Sequence, residues 1–210
     1  MILHGYWRSG TSYRTRIALN LKGLAYEQRG IDLRQGDQKA DAYLALNPQG
    51  LVPALEVEGA VLIQSPAILE WLEDTHPMPP LLPADALGRA QVRAMAAVVG
   101  CDIHPLNNLR VLKALREGFS ADQGATDAWA ARWIAPGFDT LEALVARHGD
   151  GWCFGSAPTV ADCYLIPQIY SAQRFNLDLA PWPRLRAVAA AADAHPAFQA
   201  AHPDQQPDAD

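Results

Sequence analysis

The sequence predicts an α/β N-terminal domain over residues 1–83 joined to an all-helical C-terminal domain over residues 84–210. Three observations carry this. Up to residue 75, short apolar runs suited to strands alternate with helix-length amphipathic stretches. Pro77-Met-Pro-Pro-Leu-Leu-Pro83 is too proline-dense to continue a helix and reads as a linker. From Ala84 on the chain is alanine-rich, with apolar residues at helical spacing.

Composition narrows the function classes. A chain of 210 residues with 50% hydrophobic and 19% charged residues can bury a sizeable core and is not a disordered polymer. A net charge of −6 argues against a nucleic-acid binder, which needs a basic stripe to neutralise phosphates. No run approaches the roughly 20 apolar residues of a membrane span, and no signal-peptide pattern opens the chain. Cys101, Cys153 and Cys163 are odd in number and form no CxxC, which points to a reducing, cytoplasmic compartment. The histidines His4, His76, His104, His148, His195 and His202 show no HxxxH spacing, so no metal site is expected. A G-x-S-x-G elbow and a phosphate loop are also absent.

Taken in order, Ile2–Trp7 reads as a first strand, residues 8–12 as a loop and Tyr13–Lys22 as a helix, with Gly23 at its end. Residues 24–33 form a second extended run, and 34–46 a polar stretch that is either helix or loop. Asn47-Pro-Gln-Gly50 is a turn signal. Ala54–Val57 and Ala60–Ile63 are strands joined by Glu58-Gly59 as a tight hairpin. A helix then runs from Ser65 to Thr75, with Ser65 as N-cap and Pro66 at the first helical position. The order βαβ-α-ββα is the thioredoxin-like arrangement.

In the second domain, residues 89–102 and 128–147 read as helices, the latter kinked or split at Pro136-Gly137. Thr159-Val-Ala-Asp162 is a capping-box pattern opening an apolar helix. Residues 183–192 give a last helix, and the polar, proline-containing 202–210 reads as a loose tail.

Two features of the first domain point past architecture to a ligand. Pro53 stands just before a strand, and a cis Val52-Pro53 bond turns the Val52 backbone outward for an extended guest peptide. Ser65 lacks an acidic or amide partner for a capping box, so the helix start offers its N–H groups and a hydroxyl to an anion. The bland alternative is a hairpin and a capped helix with no ligand. The loop after the first strand, where thioredoxin-like redox proteins carry cysteines, holds Ser9-Gly-Thr-Ser12 instead. Its serines either cap the helix or stabilise an incoming thiolate together with the helix dipole.

Val52-Pro53 followed by Gln64-Ser65 resembles the glutathione-binding half of a glutathione transferase. Residues 9–19, Ser-Gly-Thr-Ser-Tyr-Arg-Thr-Arg-Ile-Ala-Leu, resemble the zeta-class signature Ser-Ser-Cys-Ser-x-Arg-x-Arg-Ile-Ala-Leu, departing at Gly10 and at Thr11, where the family has cysteine. In the second domain, Asp102-Ile-His-Pro-Leu-Asn-Asn-Leu-Arg110 resembles the Asp-Ile-His-Pro-x-x-Asn-x-Arg motif of zeta-class maleylacetoacetate and maleylpyruvate isomerases. Pro105 cannot sit quietly inside a helix, so a break is expected there. The resemblance covers nearly the whole chain.

This resemblance implies the glutathione transferase fold, a homodimer and glutathione as cofactor. The implied reaction is the cis–trans isomerisation of a maleyl keto-acid, through thiolate addition, bond rotation and elimination, in aromatic-compound catabolism. Ser9, Thr11 and His104 fall on catalytic positions. Ser9, Gly10, Thr11, Gln38, Gln49, Val52, Pro53, Gln64, Ser65, Asp102, His104 and Asn108 fall on glutathione-binding ones, with Asp102 reaching toward the partner's glutathione amine. Arg8, Arg110 and Arg174 are the forks for substrate carboxylates, because a planar guanidinium matches a carboxylate with two parallel bonds. Two other readings share the scaffold: an ordinary conjugating transferase or dehalogenase, and a non-catalytic glutathione-binding protein. The departure from the Ser-Ser-Cys signature leans toward maleylpyruvate over maleylacetoacetate.

Overall fold

The computed structural model describes residues 1–209. These residues form two compact units, Met1–Leu81 with residues 193–209, and Leu82–Ala192.

The first unit carries a four-stranded sheet in the order β2-β1-β3-β4, from β1 (Ile2–Gly5), β2 (Glu27–Gly30), β3 (Ala54–Val57) and β4 (Ala60–Ile63). β1 pairs parallel to β2, which requires a crossover, here α1 (Gly10–Leu21). The antiparallel β3–β4 pair closes over two residues, Glu58 at φ 50° and Gly59 at φ 81°, the twist-matched hairpin that the Glu-Gly pair predicts. Residues 34–46, left open between helix and loop, contain a 3-10 turn (Asp37–Lys39) and α2 (Asp41–Leu46). α3 (Ser65–Thr75) and α1 pack together, and Leu3, Ile17, Leu19, Leu55, Ile68 and Leu72 close the core.

α1 is buried along every residue from Ser12 to Leu19, including two arginines. Buried cations need partners. Arg16 donates from Nε to the Ala201 carbonyl (2.9 Å) and from Nη2 to the Trp7 carbonyl (2.8 Å). A buried pair, Lys22 Nζ to Glu73 Oε2 at 2.6 Å, ties the proline-rich segment to this unit, since Lys22 also donates to the Pro79 carbonyl and Glu73 accepts from Leu81 N–H.

The second unit is helical: α4 (Ala86–Ala97), a π-helical stretch (Val98–Ile103), α5 (His104–Asn107), α6 (Leu109–Phe119), α7 (Gln123–His148), α8 (Val160–Arg174) and α9 (Pro183–Asp193), whose last residue falls in the first unit. Asp162 makes the capping box with Thr159 and also accepts from Cys153 N–H at 2.8 Å, and burial pushes its carboxyl above the usual range. α9 starts on Glu142, whose carboxylate accepts from Arg184 and Leu185 N–H, the anion that a helix start favours.

Several expectations are corrected. α1 begins at Gly10, not Tyr13, because Ser9 takes the N-cap and accepts from Ser12 N–H, while Ser12 lies inside the helix. α3 is capped one residue earlier than expected: Gln64 is the N-cap and Ser65 the first helical residue. Pro136-Gly137 does not split α7, which runs unbroken for 26 residues. The helical backbone does not end at Pro105: the π-helical stretch Val98–Ile103 runs directly into α5, Pro105 lies in the first turn of α5, and the backbone becomes extended at Asn108. Residues 202–209 are no loose tail. After α10 (Pro196–Ala201), which packs on α1, comes a 3-10 turn (Pro203–Gln205), and Gln206 is buried with its amide donating to the Ala200 and His202 carbonyls. This segment packs in the first unit.

Candidate active site

In the first unit, the candidate residues gather where β1 turns into α1, where the loop enters β3 and where α3 begins. Ser9 is held at the start of α1 by three bonds. Its N–H donates to the Tyr6 carbonyl (3.0 Å), its carbonyl accepts from Tyr13 N–H (2.8 Å), and its Oγ accepts from Ser12 N–H (3.3 Å). Thr11 Oγ1 donates to the Val52 carbonyl at 3.0 Å and lies 3.0 Å from Ser9 Oγ. A hydroxyl has one proton, so with Thr11's committed to Val52, Ser9 is the donor between the two. Gly10 and Thr11 open α1, whose first-turn amides have no intrahelical acceptors and whose first turn holds no acidic residue.

The Val52-Pro53 bond is cis. Val52's carbonyl accepts from Thr11, while its N–H has no acceptor among the described residues. The approach to this bond is braced from below, because Tyr43 Oη and Asn47 Nδ2 both donate to the Leu51 carbonyl, at 2.6 and 2.7 Å. Burial pushes the Tyr43 phenol up to about 12, so it remains a donor through neutral pH.

Gln64 sits at φ 67°, ψ 111°, a backbone state that costs a non-glycine residue energy, and its side chain makes no cap bond. That side chain instead donates to Gln49 Oε1 at 2.6 Å. Ser65 is buried, and its Oγ accepts from Arg14 Nη1 at 3.0 Å, which leaves the hydroxyl proton to point elsewhere. Gln38 lies near Gln49 through Gly50, where φ is +60° and an added Cβ would meet Lys39 Nζ at 2.7 Å and the Gln38 carbonyl at 2.8 Å. Gln38 Oε1 is itself buried with no hydrogen-bond partner among the described residues. Arg8 is half-buried, its guanidinium 5.2 Å from the Trp7 ring centre.

Hydrogen bonds thus join Ser9, Thr11 and Val52 in one group and Gln49 and Gln64 in another, with Ser65 next to Gln64 and tied to α1 through Arg14. Arg14 and Lys39, which the sequence reading does not name as candidates, stand beside Ser65 and Gly50. Arg14 lies inside the quoted signature, so its signal was present, whereas Lys39 is one lysine in a polar stretch and offered none.

The second unit holds the other candidates. Asp102 is exposed at the end of the π-helical stretch, whose Gly100 permits close packing: a Cβ there would stand 2.8 Å from the Tyr164 ring. His104 opens α5, and Asn108 caps α6. Asn108 spends its side chain locally, accepting from Val111 N–H at 3.2 Å and donating to the Pro105 carbonyl at 3.1 Å. Arg110 is exposed in the first turn of α6, and Arg174 is exposed at the last residue of α8.

Comparison with known proteins follows the same lines. The glutathione S-transferase N-terminal domain family matches residues 8–75, and the C-terminal domain family matches residues 123–191. A maleylpyruvate isomerase from Ralstonia is 56% identical over 99% of each chain, and a maleylacetoacetate isomerase from Pseudomonas aeruginosa is 53% identical over 99% of this chain and 98% of that one. Among solved structures, a holo maleylpyruvate isomerase described as a bacterial zeta-class glutathione S-transferase superposes with a TM-score of 0.98, at 56% identity, covering 100% of both chains. A maleylacetoacetate isomerase from Anaeromyxobacter dehalogenans with glutathione bound in its active site gives 0.90 at 49% identity, over 100% of this chain and 97% of that one.

Proposed function

Because the chain belongs to the glutathione S-transferase family, in its zeta class, we propose that it is a glutathione-dependent isomerase converting a maleyl keto-acid to its fumaryl form. The observation that carries this reading is the hydroxyl relay Ser9–Thr11–Val52 at the start of α1, beside a cis-proline loop and a carboxylate-ready start of α3.

The residues fit glutathione on this chain's own geometry. Val52 N–H, a donor without an acceptor among the described residues, lies on an extended loop and suits the backbone of a peptide guest. Gln64, Ser65 and the first-turn amides of α3 suit a carboxylate, and Arg14 turns the Ser65 proton outward while adding positive charge. Gln38, Gln49 and Lys39 border the same stretch. When bound, glutathione supplies the thiolate that adds to the conjugated double bond and departs again, leaving a rotated bond behind.

The chain's residues provide what that chemistry needs. Ser9 Oγ already accepts from Ser12 N–H, which strengthens it as a donor, and a rotation away from Thr11 delivers its proton to a sulfur at the start of α1. The amides of Gly10 and Thr11 and the dipole of α1 add to the same field. Arg8, Arg110 and Arg174 are assigned to the substrate's carboxylates. Asp102, His104 and Asn108 are assigned to glutathione on the strength of the Asp-Ile-His-Pro motif, with His104 also a catalytic donor. Maleylpyruvate is the favoured substrate, and a homodimer the favoured assembly.

The test is loss of the keto-enol absorbance of maleylpyruvate and of maleylacetoacetate, with and without glutathione. Glutathione-dependent turnover, faster on maleylpyruvate, is expected. Equal rates without glutathione would overturn the reading. Sedimentation should give a dimer at micromolar concentration, and a monomer alone would overturn that part.

A further inference from the structure

The segment expected to be a loose tail grips the turn that carries Arg8 and Ser9. From α10 the chain is fastened by Gln206 and then presents Asp208, whose Oδ2 accepts from Trp7 N–H at 2.9 Å and whose Oδ1 accepts from Gln28 Nε2 at 2.7 Å. The approach is close, since a Cβ on Gly30 would lie 3.0 Å from Asp208 Cβ and would crowd it.

The bond to Trp7 matters because of what lies on the other side of the same peptide group. Trp7 N–H and the Tyr6 carbonyl belong to one planar peptide, and that carbonyl accepts from Ser9 N–H at 3.0 Å. A carboxylate pulling on the N–H polarises the carbonyl and tightens the bond to Ser9. The next peptide is held too, because the Trp7 carbonyl accepts from Arg16 Nη2, and Arg16 Nε is anchored on Ala201 at the end of α10. Both peptides between Tyr6 and Arg8 are therefore fixed by charged side chains. One of those side chains, Asp208, lies 201 residues after Trp7 in the sequence.

We propose that Asp208 is a positioning residue for the thiolate site: it fixes the Tyr6–Trp7 peptide and, through it, the backbone of Ser9. The inference rests on the reading of Ser9 as the thiolate donor. It makes the C-terminal segment part of the catalytic unit.

The experiment compares Asp208→Ala, Asp208→Asn and a chain ending at Pro207 with the full-length protein. Three readouts are used: thiolate absorbance of bound glutathione against pH, kcat and KM, and amide exchange of residues 6–10 by mass spectrometry. For Asp208→Ala we expect the bound thiol's pKa to rise by about 0.5–1 unit and kcat to fall by roughly 3–30-fold, as a misplaced donor predicts. Exchange over residues 6–10 should speed up at least about tenfold, since the bond protecting Trp7 N–H is gone. The shortened chain should behave alike. Asp208→Asn, which keeps an oxygen acceptor without the charge, should recover most of kcat and the slow exchange. An unchanged thiol pKa in a folded Asp208→Ala protein overturns the proposal. So does an Asp208→Asn protein no better than the alanine variant, with activity tracking only the melting temperature. If the full-length protein itself showed no bound thiolate, the functional reading would fall. The clamp would then stand or fall on amide exchange alone.

Discussion

The start of α1 and the stretch from Gly100 to Leu112 both carry motifs of the proposed reaction, yet they are built in opposite ways. Around Ser9, regular elements leave little freedom. A parallel strand, a buried helix and a braced cis-proline loop hold each hydroxyl within hydrogen-bond distance of another group. Around Asp102 the backbone passes from α-helix through a π-helical stretch to a short helix and a break, and Asp102 and Arg110 stand exposed. A rigid frame suits groups that must meet a small sulfur anion at a fixed point. An irregular helix with exposed charged ends suits groups that bind carboxylates in the ground state. We read the contrast as transition-state stabilisation centred on Ser9 in the first region and, His104 apart, ground-state binding in the second.

Several substitutions can break or sharpen that contrast. The largest effect should come from the frame. Lys22→Met removes one member of the buried Lys22–Glu73 pair, and losing one member of such a pair costs about 3–5 kcal/mol. Chemical denaturation should show that loss, and a change below about 1 kcal/mol would mean that the proline-rich segment is held by something else. Ser9→Ala should slow isomerisation by roughly 10–1000-fold with the Michaelis constant little changed, as expected for one lost donor among several. Ser65→Ala should weaken glutathione binding by about 1–3 kcal/mol, because the lost hydrogen bond is to a charged group. Calorimetry giving an unchanged dissociation constant would remove Ser65 from the site. Arg110→Ala should act on the other side of the contrast, raising the Michaelis constant by roughly tenfold while kcat stays near wild type. Were Arg110→Ala to lower kcat and Ser9→Ala to raise the Michaelis constant, the division between the regions would be reversed. Asn108→Ala should have the smallest effect, about 1 kcal/mol of stability, since its amide caps α6 and bonds Pro105.

Much of this was legible in the sequence, for local reasons. The hairpin follows from Glu58-Gly59 between apolar runs, and the capping box of α8 from Thr159 and Asp162 at the required spacing. The positions proposed to bind glutathione come mainly through the resemblance, because no local rule brings Val52 beside Thr11. Cap positions slipped by one at Gln64 because a residue with positive φ and no cap bond carries no compositional mark. Pro105 was misread as the break because a first-turn proline and an interior one look alike in sequence. The C-terminal segment was the largest miss. Its polar residues and two prolines resemble a tail, but Gln206 and Asp208 are spent on specific backbone groups distant in sequence. Nothing in a one-dimensional pattern separates a polar residue facing water from one facing a backbone N–H.

The most direct measurement of the proposal's central claim, that glutathione lends its thiolate at Ser9 and takes it back unchanged, is turnover of maleylpyruvate with glutathione held at a small fraction of the substrate, while free thiol is counted. The account predicts many fumarylpyruvate molecules formed per glutathione and a thiol count that does not fall. A thiol count that drops in step with substrate would contradict it and mark the protein as a conjugating enzyme.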